Sequence, residues 1–539
     1  MTTNLRPDLA AHLRQRLQAF ADGFRHNLAL IGPPGSGKTF QLQHAVADRP
    51  SQLLAISCCL YRESARSFLQ RLLCAILQAG LTELHLTLER ERPGSLEGHA
   101  QRLDALLKGA EHHIPRTAAA ARSLEGLLLR RVDGEALQRT LDLIPLLGDE
   151  RRQPCVFILD EFLYVEDLGF SQAFHELGKR VMTWPSTLFI LSSSSVYRAR
   201  MILRERLQLL FGQFELLTLE TLNPHTVAAW ATEELADITG VQMISPFLMG
   251  WLGTHPWYLT VFLKRLKELS TLTQSPALTE LLFFQTAWDL LGSPEGVLHQ
   301  WCRSRVEALP EGRRGARALE ALLQMADGAR TMTEIGRPIG RSGLTEALHV
   351  LMERDLAQRH GACWVIPDPI LRCWLSTVLR EERCGAAVPD AASRRRFEDA
   401  LRQLWHRWAE AHQRSFPEQV IGLFEQFADE TVLLDAKTGR LPKFHTITQQ
   451  PADRAGASSY LVADGEGKRW CATIQEHSMD ENGVAHFEAF CRRQSPRPSR
   501  KVVITNTALD QNARLLAKAV NMWVWESSDL RLLMELFGR

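Results

Sequence analysis

The chain has 539 residues, too many for one hydrophobic core, so several domains are expected. Lys and Arg number 63 against 62 Asp and Glu, which removes bulk charge as an argument for any class of partner. The hydrophobic share of 45% is that of a globular protein, no apolar run is long enough to span a bilayer, and Met1–Arg14 does not read as a signal peptide; no membrane partner and a cytoplasmic location are expected.

Leu5 to Phe24 carries apolar residues at helical spacing. Asn27 to Ile31 reads as a short buried strand and Phe40 to Ala47 as a helix. Between them Gly32-Pro33-Pro34-Gly35-Ser36-Gly37-Lys38-Thr39 fits G-x-x-x-x-G-K-[ST] without a mismatch. In this strand–loop–helix context the glycines let the backbone wrap an anion, and loop N–H groups and the helix N-terminus aim at it. Lys38 is expected on the β/γ-phosphates of ATP and Thr39 on Mg²⁺. A Gly/Pro-rich turn is the plainer reading, and the full motif outweighs it.

Leu53 to Cys58 reads as a second strand; Cys58-Cys59 at its end is read as core, with reduced thiols throughout because no C-x-x-C pair occurs. Residues 60–152 are helical in period. Cys155 to Asp160 is an apolar strand closed by Asp160-Glu161, at the carboxyl end where α/β sheets place ligands. Asp160 is placed to support Mg²⁺ and Glu161 to polarise water. The distance between the two motifs leaves room for a strand inserted between theirs. Thr187 to Leu191 is another strand, ending in Ser192-Ser193-Ser194-Ser195; Ser193 is taken as the residue that reads the γ-phosphate or the water, with a serine-rich loop as the equal alternative. Phe214 to Leu219 is a fifth strand, and a helical region follows from Pro224.

Further on, Arg317 to Met325, Met332 to Ile339 and Ser342 to Arg354 read as three helices, followed by a hairpin turning at Gly361; together they make a winged helix. Its third helix, opening with Arg341-Ser342 and carrying Glu346 and Glu353, is weakly basic for a DNA reader. Cys384 to Ser393 reads as a linker, and Arg394-Arg395-Arg396 as a solvated helix start that could also touch phosphate. Strands follow at Thr431, Tyr460, Trp470, Lys501 and Met522, with a hairpin at Asp464 to Gly467.

In this order the pieces resemble the archaeal-type P-loop ATPases of the STAND group within the AAA+-like NTPases. The resemblance rests on the P-loop, on Phe157 to Glu161, on Leu191 to Ser195, on Phe211 to Phe214, on Gly253 to Tyr258, and on Asp368 to Leu375. It implies an α/β P-loop NTPase core, a parallel sheet with helices on both faces, over residues 1–222. A helical lid over 223–305 and a winged helix over 306–380 would follow. A linker over 381–396 would lead to an α/β restriction-endonuclease-like domain over 397–539. ATP or ADP and Mg²⁺ are the implied ligands, with Gly32 to Thr39, Phe40 and Pro256 around the nucleotide and Thr39 and Asp160 on the metal.

Two departures stand out. The family's Gly-Arg is Gly212-Gln213 here, leaving Arg198, Arg200, Arg204 or Arg206 to substitute, and its Gly-Gly-x-Pro is Gly253-Thr254-His255-Pro256. A nuclease of the resembled type needs Asp, then Glu/Gln-x-Lys. Here Ser459 and Gln475-Glu476-His477 stand in those places, with Glu418 as the remaining acid and Asp464 or Glu476 as substitutes. The expectation is an ATP-hydrolysing nucleotide switch whose degenerate nuclease-like domain meets a protein partner, in a nucleotide-dependent homo-oligomer. The alternatives are a DNA-binding ATPase like origin-recognition or helicase-loading proteins, with the winged helix on DNA, and an ATP-regulated nuclease.

Overall fold

Five apolar segments make the first sheet: β1 (Asn27–Ile31), β2 (Leu54–Cys59), β3 (Cys155–Asp160), β4 (Thr187–Ser193) and β5 (Phe214–Thr218). In the computed structural model all pair in parallel, in the order β2-β3-β4-β1-β5. The structure describes residues 4–538 apart from 82–95, 131, 133, 171, 206–213, 220, 276, 384–390, 435–436, 452–457, 477–478 and 508.

Alternation along the strands feeds two cores. Val156 and Ile158 of β3 join the core beneath α1 (Pro7–Ala21) and α2 (Lys38–Ala47). Cys155, Phe157 and Leu159 join the core beneath α3 (Ala65–Leu81), α4 (Leu96–Ala110), α5 (Pro115–Arg130), α6 (Gly134–Arg151), α7 (Ala173–Thr183) and α8 (Val196–Glu205). Burial on both faces explains why the inner strands β1, β3 and β4 are so largely apolar, whereas β5 at the edge is part exposed and carries Glu215. The sheet and its flanking helices fit a P-loop NTPase core, and β4 is the strand inserted between β1 and β3. The helices α9 (Pro224–Glu234), α10 (Val241–Leu252) and α11 (Pro256–Leu272) complete this unit, which ends at Leu278.

The second compact unit spans Thr279–Arg539. It begins with α12 (Glu280–Ala287), α13 (Val297–Glu307), α14 (Arg313–Ala326), α15 (Met332–Ile335) and α16 (Arg341–Glu353). A hairpin of β6 (Gln358–His360) and β7 (Cys363–Val365) follows, then α17 (Pro369–Trp374), α18 (Arg380–Arg383), α19 (Ala391–Gln413) and α20 (Phe416–Glu425). After the hairpin of β8 (Glu430–Leu434) and β9 (Lys437–Leu441) comes a five-stranded sheet. Its strands are β10 (Thr446–Pro451), β11 (Ser458–Gly465), β12 (Lys468–Gln475), β13 (Arg500–Thr505) and β14 (Trp523–Trp525), paired in that order. The first three run antiparallel and the last three parallel, because α21 (Glu481–Arg493) and α22 (Gln511–Ala519) make the crossovers. The last helix is α23 (Ser527–Phe537).

Three expected boundaries differ from this arrangement. The compact division falls at Leu278, inside the span 223–305 expected as a lid. Residues beyond it pack within the second unit: Trp288 meets Phe397 edge-on at 5.5 Å, and Trp374 Nε1 donates to His299 Nδ1 at 3.2 Å. The expected linker 381–396 is helical at both described ends, since α18 occupies Arg380–Arg383 and α19 starts at Ala391, where Ala-Ala-Ser-Arg favours a helix. The spans 306–380 and 397–539 also share one core, in which Cys363 and Val365 pack with Val420, Phe424 and Val432.

Phe157 is 0% exposed and meets Phe189 edge-on at 5.9 Å in the middle of the first sheet. Phe157→Ala is expected to destabilise the first unit by about 3–5 kcal/mol. Urea-dependent hydrogen exchange of the β3 and β4 amides measures this, and unaltered protection there would place the unit's stability elsewhere.

Candidate nucleotide site

The carboxyl ends of β1, β3 and β4 converge where β1 turns into α2. The turn needs left-handed backbone twice, at Gly35 (φ +76°) and at Gly37 (φ +95°), the cap of α2. A Cβ on Gly35 would also stand 2.9 Å from Cβ of Trp257. Lys38 is buried, and its Nζ donates to the carbonyls of Gly32 (2.7 Å) and Pro33 (3.0 Å).

Thr39 Oγ1 donates to Asp160 Oδ2 at 2.9 Å, tying the loop to the end of β3. Asp160, 5% exposed, also accepts from the Glu161 N–H at 3.1 Å and from Ser192 Oγ. Glu161 sits in left-handed backbone (φ +53°), and its carboxylate accepts from the Ser194 N–H at 2.9 Å and from Ser194 Oγ. Burial raises the Glu161 pKa and the Asp160 charge adds to this, while Lys38 and the Ser194 donors pull it down; the net direction is upward. An acid with a raised pKa beside a phosphate loop is suited to accept a proton near neutrality.

A cavity of about 610 Å³ opens over this cluster, bordered by Gly35 to Phe40, Glu161 and Ser194. Pro256 borders it too, at the first turn of α11. Gly32, Pro33 and Pro34 serve through their carbonyls: the first two accept from Lys38, and Pro34 accepts from His255 Nε2 at 3.0 Å.

Ser193 departs from the expectation. It is 0% exposed, and its Oγ is engaged by the Ser195 backbone, accepting from the N–H (3.1 Å) and donating to the carbonyl (3.3 Å). Alternation along β4 instead gives Ser192 to Asp160, and the residue after the strand, Ser194, goes to Glu161. Arg198 is paired with Glu166 at 2.8 Å, Arg200 reaches Thr218 at 3.3 Å, and Arg204 lies exposed at the end of α8. Arg206, Phe211, Gly212 and Gln213 lie outside the described residues. Sequence reasoning missed Trp257, Trp230, Lys264 and Gln41, all on the cavity wall. Trp257 stood in plain view beside Pro256; the other three come from helices whose facing is not written in any motif.

In the second unit, Glu418 does not face a metal site. It closes a capping box with Ser415, accepting from its N–H at 2.7 Å and from its Oγ at 2.9 Å. Asp464 forms a two-pronged pair with Arg469, at 2.7 and 2.8 Å. Ser459 is buried opposite Ile474, Gln475 donates to Thr473 Oγ1 at 3.0 Å, and Glu476 is exposed; His477 lies outside the described residues. Among the described residues no group of three or more His, Cys, Asp or Glu could hold a metal ion, and no helix is long and apolar enough to cross a membrane.

No family model matches the chain, and no curated protein matches it. Among solved structures it is similar to a Walker-type ATPase of Pyrococcus abyssi, at 14% identity and a TM-score of 0.45, over 69% of this chain and 95% of that one. It is similar to the ORC2 protein of Aeropyrum pernix, in complexes with ADPNP and ADP, at 13% identity and a TM-score of 0.39, over 71% and 96% of the two chains. The RuvB protein of Thermotoga maritima is similar at 14% identity and a TM-score of 0.33, over 67% and 91%.

Proposed function

We propose that the chain binds ATP at this cavity and hydrolyses it slowly, as a nucleotide-dependent switch. The observation that carries the reading is the convergence of Lys38, the Thr39–Asp160 hydrogen bond and half-buried Glu161 at one end of a parallel sheet. The loop N–H groups and the positive end of α2 favour the triphosphate, and Lys38 exchanges neutral carbonyls for phosphate oxygens, a stronger pairing. Thr39 and Asp160 offer hard oxygen atoms that suit Mg²⁺, which when bound neutralises charge on the phosphates. Glu161 takes the proton of the attacking water, whose oxygen bonds to the γ-phosphorus while the bond to the ADP oxygen breaks. Ser194, bound to Glu161 by both N–H and Oγ, holds the base in place. No described arginine reaches the cavity from α8, which fits slow turnover.

We assign the second unit to partner binding rather than to DNA or to nuclease chemistry. Of the basic triplet, Arg394 is paired with Glu398 and Arg396 with Glu381, so two of three charges are already matched. The β6–β7 turn is pressed onto β8: the Ala362 N–H donates to the Thr431 carbonyl at 2.8 Å. A winged helix with its wing so covered has lost one of its two usual faces for a duplex. The side chains of Arg341 and Ser342, at the start of α16, lie outside the described residues. Of the acids expected for a nuclease, Glu418 is spent on a helix cap and Asp464 on an ion pair.

Lys38→Ala is expected to weaken ATP binding by about 100-fold or more, about 3 kcal/mol. Isothermal titration tests it, and unaltered affinity would overturn the nucleotide reading. Glu161→Gln is expected to keep ATP affinity and lower turnover by about 10²- to 10⁴-fold, because a carboxamide is not a base. Hydrolysis at the parental rate would place the base elsewhere.

The pH dependence follows from the same residue. Protonated Glu161 cannot accept the water's proton, so turnover falls as pH drops through its pKa. That pKa lies above the ordinary 4.5, and the acid limb should lie there too. Ser194→Ala removes a donor to the ionised form and should move the limb to higher pH. A limb that stays in place would detach Ser194 from the base.

A further inference from the structure

Each of the two five-stranded sheets has two edges, and three of these edges are guarded. An edge strand presents unpaired N–H and C=O groups, and cover, charge or shortness keeps other strands off it. No residue of β2 is exposed. On β5, Glu215 is held by Arg16 of α1 at 2.7 Å and by His12 at 2.9 Å. The edge strand β14 is only three residues long.

The fourth edge, β10, has none of these devices along most of its length. It pairs with β11 over six residues, from Thr446 opposite Asp464 to Pro451 opposite Ser459, with no extra residue on either strand. Among the described residues no strand lies along its other side. Thr446, Thr448, Gln449, Gln450 and Pro451 are exposed, and Ile447 is half-buried. Thr446 to Gln450 carries no charge. Only Pro451, at the end, blocks pairing by lacking an N–H. An edge of this kind is a template for another strand.

The composition of β10 says which strand. A two-fold axis sets a segment against itself, so a charge near the axis meets its like. Thr446 to Gln450 avoids that conflict. With Thr448 on the axis, Thr446 stands opposite Gln450 and Ile447 opposite Gln449, and Pro451 falls outside the paired stretch. A foreign strand takes its specificity from pockets beside the edge, and exposed, uncharged side chains give it little to recognise. We propose that β10 pairs antiparallel with β10 of a second copy of this chain and joins the two sheets into one. Each copy brings one such edge, so the assembly closes at two.

The test is sedimentation equilibrium of the full chain, together with hydrogen exchange of the β10 amides. So short a paired stretch makes a small interface. A dimer is therefore expected to build up between roughly 1 and 100 μM. Over that range the Thr446 to Gln450 amides should come to exchange about tenfold more slowly. Thr448→Lys and Thr448→Glu each set like charges across the axis and should weaken association at least about fivefold. An equimolar mixture of the two variants should recover dimers, because Lys then faces Glu. A parent chain that stays single up to about 100 μM overturns the proposal. A dimer that both substitutions leave intact, or one whose β10 amides exchange no more slowly, places the interface elsewhere and overturns it equally.

Discussion

The constraint on which the first unit depends is the burial of one carboxylate. Asp160 is 5% exposed at the end of a strand that is otherwise apolar. A carboxylate so placed needs hydrogen-bond donors, because burying a charged group without them is costly. Its three donors come from separate places: the phosphate loop through Thr39, the end of β4 through Ser192, and its own chain through the Glu161 N–H. The order with β4 between β1 and β3 brings the first two to Asp160. The pairing of Leu159 with Leu191 puts Ser192 level with Asp160. The pairing of Leu30 with Ser192 brings the loop after β1 to the same level. Strand order and site chemistry are one requirement here.

That part of the molecule was the most legible in the sequence. The loop motif, the apolar strands and the acid pair each carry a local signature, and β1 and β3 fall on the expected residues. What the sequence did not disclose was which of four serines faces the site. Ser192 to Ser195 are chemically alike, and their roles separate only when the pleat and the first turn after β4 are fixed. Ser193, the expected reader, is turned back onto its own chain.

The second unit was legible element by element but not in its grouping. Helices and strands carry periodicity, and most of those expected are present. The linker was expected where small residues and proline cluster, and both described ends of its span are helical. A hydrophobic core joins segments by contact, so Cys363 and Val365 belong with Phe424 and Trp525 although the chain between them is long. Glu418 shows the same limit at the level of one residue. An acid near the start of a helix is as well explained by a cap as by a metal, and the Ser415 geometry decides for the cap.

The turn at Gly361 has a practical side. A Cβ there would stand 2.5 Å from the Thr431 carbonyl oxygen, and the backbone is left-handed at φ +72°. Hairpin tips are usually where a protein accepts a fused tag, a reporter or an added loop at little cost. This tip is closed to such surgery, since any added atom would wedge β6–β7 away from β8 and open the shared core behind it. The exposed turn at Glu466-Gly467, between β11 and β12, has nothing within 4 Å of a Cβ on Gly467 and is the better place to graft a label.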